Sequence, residues 1–185
     1  MFSKKKKHIN EEQIIFLAKK DRKNFNILYT KYYEKIFLFI LRRCSDEDVA
    51  ADITQQTFVK AMINLEKFEF RGLPFSSWLY RISLNELNLY FRETKKRRSV
   101  SLNENELHAF NNEQIDKEEE EIKEIPMEHL ITALNVLTDG EVTLLEMKYF
   151  EKRSHREISE ILGISESNAK VKLHRIIKKM RKAMV

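Results

Sequence analysis

Glycine and proline are nearly missing from this chain, with three glycines and two prolines among 185 residues. Sheets built on tight hairpins use both at their turns, so the scarcity argues for long helices joined by a few loops. Cysteine is scarcer still. Cys44 is the single one, which excludes an internal disulfide and suits a reducing cytosol. Long apolar runs are absent too: the longest spans residues 36–41, far short of the roughly 20 that a spanning helix needs. The basic residues 4–7 are not followed by the apolar stretch of about 7–15 residues that a signal peptide requires. The expectation is a soluble, cytoplasmic protein.

Catalytic sets are also lacking. His8, His108, His129, His155 and His174 are scattered, without metal-ligand spacing. No glycine-rich loop is present to cradle a phosphate, and the acids at 118–121 sit where nothing would tune their pKa. The sequence therefore predicts no enzyme, no cofactor, no metal and no small-molecule substrate.

Charge, by contrast, is plentiful. Charged residues make up 34% of the chain and the net charge is +5, which points to an anionic partner. Its distribution marks a boundary. Residues 113–124 (EQIDKEEEEIKE) hold seven acids against two lysines, a local charge of −5, which leaves +10 for the rest. With the polar stretch before it, this reads as a linker over 99–126, closed by Pro126. The acidic run is read as a solvated spacer, in preference to the alternative of a nucleic-acid mimic that shields a basic face.

Before the linker, apolar residues recur at steps of three and four. Ala50, Ile53, Thr57, Ala61 and Leu65, with Phe58 and Met62 beside them, make one buried helix face. Ser45 is expected as its N-cap, with Cys44 and Val49 as a hydrophobic staple. Similar spacing predicts helices over 24–43 and 75–94 and a short one over 11–20. Gly72 and Pro74 break the pattern, so FRGLPF is a loop. Trp78 falls in an apolar stripe and is read as core.

After the linker, Met127, Leu130, Ile131, Leu134 and Leu137 form another stripe. Thr138 with Glu141 and Ser154 with Glu157 are capping boxes that start two further helices. Gly163 follows the second of these where a left-handed backbone is wanted, Ile164 turns inward, and Ser165 caps one more helix. Two helices joined by a three-residue turn containing glycine are a helix-turn-helix, whose second helix can enter the DNA major groove. That helix buries Ala169, Leu173, Ile176, Ile177, Met180 and Met184. It offers Lys170, Lys172, Arg175, Lys178, Lys179, Arg181 and Lys182 on the other side. Membranes and partner grooves also take basic amphipathic helices, but here the apolar face is needed by the preceding helix.

Three pieces in this order resemble the extracytoplasmic-function group of bacterial RNA polymerase sigma-70 factors: DEDVAADITQQTFVKA (46–61), FSSWLYRISLNELNLYFR (75–92) and YFEKRSHREISEILGISESNAKVKLHRIIKKMRK (149–182). The resemblance implies an all-α protein of two small helical domains joined by a flexible acidic linker. A sigma-2-like domain would span 8–98 and a sigma-4-like helix-turn-helix domain 127–185. It implies docking on core RNA polymerase, at the β′ clamp helices and the β flap, with Asp48, Asp52, Gln55 and Gln56 as clamp contacts.

It further implies reading and opening of the promoter −10 element by Arg81, Asn85, Asn88, Arg92, Lys95, Lys96, Arg97 and Arg98. Recognition of −35 duplex would fall to Ser165, Glu166, Ser167, Asn168, Lys170, Lys172 and Arg175. An anti-sigma factor is a further partner that the group implies. Two departures stand out: Leu89 lies where the group often has aspartate, and Lys172 lacks the planar fork of the arginine usual there. The function implied is an alternative sigma factor directing promoter-specific initiation. A free-standing helix-turn-helix regulator is the alternative, but it has no use for the 46–61 and 75–92 pieces.

Overall fold

The computed structural model describes residues 10–94 and 127–184, the side chains of Met127 and Glu128 excepted. The expected linker, 99–126, lies outside the described residues, as do its acidic run and Lys95, Lys96, Arg97 and Arg98. The described residues form two compact units, 10–94 and 127–184, with helices and no strand among them.

Four α-helices make the first unit: α1 (Glu11–Lys20), α2 (Phe25–Cys44), α3 (Glu47–Ile63) and α4 (Phe75–Thr94). A capping box starts α1: the Asn10 side chain accepts from the Gln13 N–H at 2.8 Å, and the Gln13 side-chain oxygen accepts from the Asn10 N–H at 3.2 Å. Packing of α2 against all three other helices explains why its Leu28, Ile36, Phe39 and Ile40 are fully buried. Tyr80 of α4 meets the Phe39 ring edge-on with centroids 4.7 Å apart. Arg43 is buried beside them, its guanidinium 3.5 Å from the Phe39 ring centroid and its Nη1 donating to the Phe39 carbonyl at 2.9 Å. A cation is tolerated at such depth only with partners of this kind.

The ladder expected of α3 is observed, with Ala50, Ile53, Phe58 and Ala61 buried. Thr54 and Thr57 join them because each hydroxyl donates to the carbonyl four residues back, at 2.7 and 2.8 Å. The start of α3 differs from expectation. Ser45 is the left-handed C-cap of α2, at φ 53°. The N-cap of α3 is Asp46, which accepts from the Val49 N–H at 3.1 Å. Shifting the cap by one residue removes Cys44 and Val49 from staple register. Cys44 instead closes α2 with its thiol 3.3 Å from the Ile40 carbonyl, and burial pushes its pKa up, as suits a structural thiol.

The second unit contains α5 (Met127–Asn135), α6 (Asp139–Tyr149), α7 (His155–Leu162) and α8 (Glu166–Ala183). All three shorter helices pack on α8, whose Ala169, Leu173, Ile176 and Met180 are buried while Ile177 and Met184 are half-buried. The buried row of α5 is Leu130 with Ala133, whereas Ile131, expected in the stripe, is 47% exposed. Both expected capping boxes are present, on Thr138 with Glu141 and on Ser154 with Glu157. Lys179 reaches from α8 to Glu141 Oε2 at 2.8 Å, which ties the end of α8 to the start of α6.

The Ser154 box is reinforced by Arg153, whose Nη1 lies 3.0 Å from Glu157 Oε1. Burial raises the Glu157 pKa, but the Ser154 N–H, Arg153 and the Ser154 hydroxyl outweigh it, and the net shift is downward. The stabilisation is therefore full above the ordinary carboxylate range and is lost as pH falls through the lowered folded-state pKa. Glu157→Gln is expected to lower the melting midpoint of the second unit at neutral pH by about 4–8 °C. It should also melt with a smaller further drop on acidification. An acid-side drop equal to that of the unsubstituted protein would contradict this role.

Candidate functional site

Helix α4 separates its two sides sharply. Tyr80, Leu84, Leu87 and Phe91 are buried. Arg81, Asn85, Asn88 and Arg92 are exposed and recur at steps of four, three and four, so the expected row lies on one helix face. Glu86, the acid between them, is engaged by Lys60 of α3, with Nζ 2.6 Å from Oε2. That pair joins α3 to α4 and removes one negative charge from the neighbourhood of the basic row.

The loop 68–74 leads into α4. Gly72 has φ 71°, a backbone that favours glycine. Phe68, Phe75 and Trp78 form an aromatic cluster, with centroids 5.2 Å (Phe68–Phe75), 5.1 Å (Phe68–Trp78) and 5.5 Å (Phe75–Trp78) apart. Phe68 and Phe75 are buried. Trp78, read from the sequence as core, is only half-buried, because it sits on the shoulder of α4 nearest the loop. Phe70 at the loop tip is 45% exposed, and Arg71 is paired with Glu69 at 2.9 Å.

On α3 the four expected residues Asp48, Asp52, Gln55 and Gln56 are all exposed, opposite the Ala50–Ile53–Thr57–Ala61 ladder. Sequence reasoning missed two companions. Val59 and Ile63 are 45% and 60% exposed and extend the 52–56 row at steps of three and four. The available signal was their spacing: neither falls on the ladder, so both had to face outward.

On α8, Asn168, Lys172 and Arg175 are exposed at steps of four and three, with Val171, His174 and Lys178 beside them. The four other expected contacts, Ser165, Glu166, Ser167 and Lys170, are engaged within the helix start. The Ser165 hydroxyl accepts from the Asn168 N–H and lies 3.2 Å from the Ser167 hydroxyl. Glu166 pairs with Lys170 at 2.9 Å, and the Lys170 hydrogen bond and charge hold the Glu166 pKa down. Lys179 is drawn to Glu141, so it leaves the basic face the sequence assigned to it. The turn before α8 has the expected geometry. Gly163 is left-handed at φ 66°, and both its N–H and that of Ile164 donate to the Ser159 carbonyl. A side chain meets no atom there, so glycine is required by backbone conformation and not by space, at about 1–2 kcal/mol for another residue.

Among the described residues no three His, Cys, Asp or Glu side chains are grouped to hold a metal ion. No described helix is long and apolar enough to cross a membrane.

Comparison with known proteins bears on these surfaces. Residues 28–97 match the family model described as Sigma-70 region 2, and residues 127–180 match Sigma-70, region 4. The chain is 30% identical over 166 residues to the RNA polymerase sigma factor YlaC of Bacillus subtilis, covering 89% of this chain and 94% of that one. It is 26% identical to the ECF RNA polymerase sigma factor SigW of the same organism, covering 94% and 96%. Two solved structures are similar in fold. One is CnrH in complex with the cytosolic domain of CnrY, with TM-score 0.59, 19% identity and coverage of 91% and 93%. The other is the sigma factor RpoE with the anti-sigma factor NepR from Bartonella quintana, with TM-score 0.57, 18% identity and coverage of 88% and 97%.

Proposed function

The chain belongs to the extracytoplasmic-function group of sigma-70 factors, and we propose how its surfaces divide the work of that group. As an alternative sigma factor it binds core RNA polymerase and promoter DNA, directs transcription initiation, and performs no chemistry itself. In the proposed division, a domain over 8–98 docks on the polymerase and captures opened −10 DNA. A linker over 99–126 follows, and a domain over 127–185 reads −35 duplex.

The observation that carries this reading is the α4 row beside the aromatic loop. Arg81 and Arg92 supply charge for phosphates, and Asn85 and Asn88 supply amides for base edges. The loop 68–74 leads into buried rings, a suitable surround for an extruded base. Binding that favours the opened strand shifts the duplex toward melting without any chemistry. On α8, Asn168, Lys172 and Arg175 are the base- and phosphate-facing residues, while Ser165 and Ser167 shape the helix start. Asp48, Asp52, Gln55 and Gln56 of α3, with Val59 and Ile63, form the polymerase-facing side. The protein works in the cytoplasm beside its polymerase. An anti-sigma factor is its proposed regulator, supported by the Bartonella quintana structure, in which a sigma factor is held by one.

Run-off transcription with purified core polymerase and genomic fragments, with and without this protein, tests the whole. A discrete set of added start sites is expected. Tight binding to duplex operators by the protein alone, with no co-purification with core enzyme, would overturn it.

A further inference from the structure

Helix α1 lies outside the residues matched to either sigma-70 region, yet its side chains are bound to both sides of the loop before α4. At one side, Lys19 Nζ donates to the Phe68 carbonyl at 2.7 Å and to the Glu66 carbonyl at 3.3 Å. At the other, Glu11 Oε2 accepts from the Phe75 N–H at 2.7 Å. The six residues 69–74 run between these two anchors.

The anchors belong to one rigid element. Glu11, Ile15 and Lys19 follow each other at steps of four and so share a row of α1. Ile15 between them is 4% exposed, which seats the row against the rest of the unit. Eight residues of helix set the two anchors about 12 Å apart along the axis. Glu11 is itself fixed: its Oε1 accepts from Lys31 Nζ at 2.7 Å and from the Tyr32 hydroxyl, both on α2. Burial raises the Glu11 pKa, but these bonds and the Phe75 N–H outweigh it and hold the carboxyl below its ordinary value. Burial and the neighbouring carboxylate push Tyr32 up to about 12, so at neutral pH the hydroxyl remains a donor to a charged acceptor.

The Phe75 N–H is among the first four of α4, which have no partner within the helix. A carboxylate there satisfies the donor and favours the positive end of the helix dipole. The two carbonyls that Lys19 meets lie in the short 3-10 turn Leu65–Lys67 and on Phe68 just after it, where the chain enters the loop. A loop with free anchors would sample many conformations, and each seating of a base would then require ordering it.

We propose that α1 is a clamp that presets the 66–75 segment for strand capture, with Lys19 and Glu11 as positioning residues. This rests on the reading of the loop and α4 as the −10 surface. Neither residue touches DNA in this scheme; each acts through the backbone it holds.

The test uses holoenzyme assembled with full-length variants and promoter DNA carrying 2-aminopurine in the non-template strand of the −10 element. Its fluorescence rises when the base leaves the stack. Lys19→Ala is expected to reduce the capture rate roughly tenfold, as loss of a charge-assisted bond would, with core binding and closed-complex formation unchanged. Lys19→Arg, which keeps a donor there, should restore most of it. Glu11→Ala should reduce capture similarly, and Glu11→Gln, whose amide oxygen still accepts from Phe75, should retain most. Asn85→Ala separates the two ideas. If Asn85→Ala loses capture while Lys19→Ala and Glu11→Ala do not, the clamp alone is wrong. If all of these variants capture normally, the −10 reading fails and takes the clamp with it. Loss of core binding together with capture, or no rescue by Lys19→Arg, marks a general fold defect and also overturns the clamp.

Discussion

Asp52→Arg combined with Gln56→Arg is expected to weaken binding to core RNA polymerase by about a hundredfold, since unfavourable charge at a docking face costs several kcal/mol. Both side chains are exposed on α3, and the buried ladder of Ala50, Ile53, Thr57, Phe58 and Ala61 faces away from them. Reversal therefore opposes docking without disturbing the core. These two are better choices than Asp48, which lies in the first turn of α3 and favours the helix dipole. Its replacement would mix a stability loss into the binding loss. Val59→Asp should act in the same direction, because it places a charge at an exposed apolar position of the same row. A titration of labelled core enzyme, with helicity and melting midpoint as controls, checks all three. Unchanged affinity with an intact fold would move the interface off this face of α3.

The second large effect is expected on α8. Lys172→Ala and Arg175→Ala together should reduce closed-complex formation on −35 duplex by one to four orders of magnitude. A base-edge contact is worth about 1–3 kcal/mol, and a phosphate contact shows instead as a salt slope smaller by about one. Lys170→Ala should do much less. Its ammonium is already paired with Glu166, so removing it frees a carboxylate while withdrawing a charge that was largely neutralised. Electrophoretic mobility of holoenzyme on duplex promoter at two salt concentrations separates base from phosphate roles. Equal losses for Lys170→Ala and Lys172→Ala would contradict the assignment of the exposed row to DNA.

Period and punctuation together made much of this molecule legible. The helices expected over 11–20 and 75–94 are observed as Glu11–Lys20 and Phe75–Thr94, because each has a stripe bounded by polar caps or by the Gly72–Pro74 break. Gly163 was readable because few residues adopt its backbone. Ser45 adopts the left-handed region as well, at φ 53°, yet a serine there carries no signal of it. Beside Asp46 it offered two adjacent cap formers, and the sequence gives no means of choosing. Ile131 failed for another reason: helical spacing places it beside Leu130 and Leu134, but only the packing of α8 decides where the stripe ends. Helix α6 buries Thr143, Leu144, Leu145, Glu146, Met147 and Tyr149, so it is covered on nearly all sides and its pattern is flat.

Among the surfaces, the rows on α3, α4 and α8 could be found from spacing alone, since every exposed row is the complement of a buried one. The pairs that tie elements together could not. Lys19 with Phe68 and Glu11 with Phe75 are 49 and 64 residues apart, and no local pattern announces a lysine that will cap a loop carbonyl. Lys179 reads in the sequence as one more cation of the basic face, and only the fold sets Glu141 beside it.

The most direct test of the proposed division between the units is transcription from matched duplex and pre-opened templates, the latter unpaired across −10. Holoenzymes carrying Asn85→Ala, Lys172→Ala and Arg175→Ala are compared on both. Pre-opening removes the cost of unpairing, so it should largely restore Asn85→Ala, whose defect lies in holding the opened strand against reannealing. It should do nothing for Lys172→Ala and Arg175→Ala, whose deficit precedes melting. Equal rescue of all three, or of none, would contradict the assignment of opening to α4 and duplex recognition to α8.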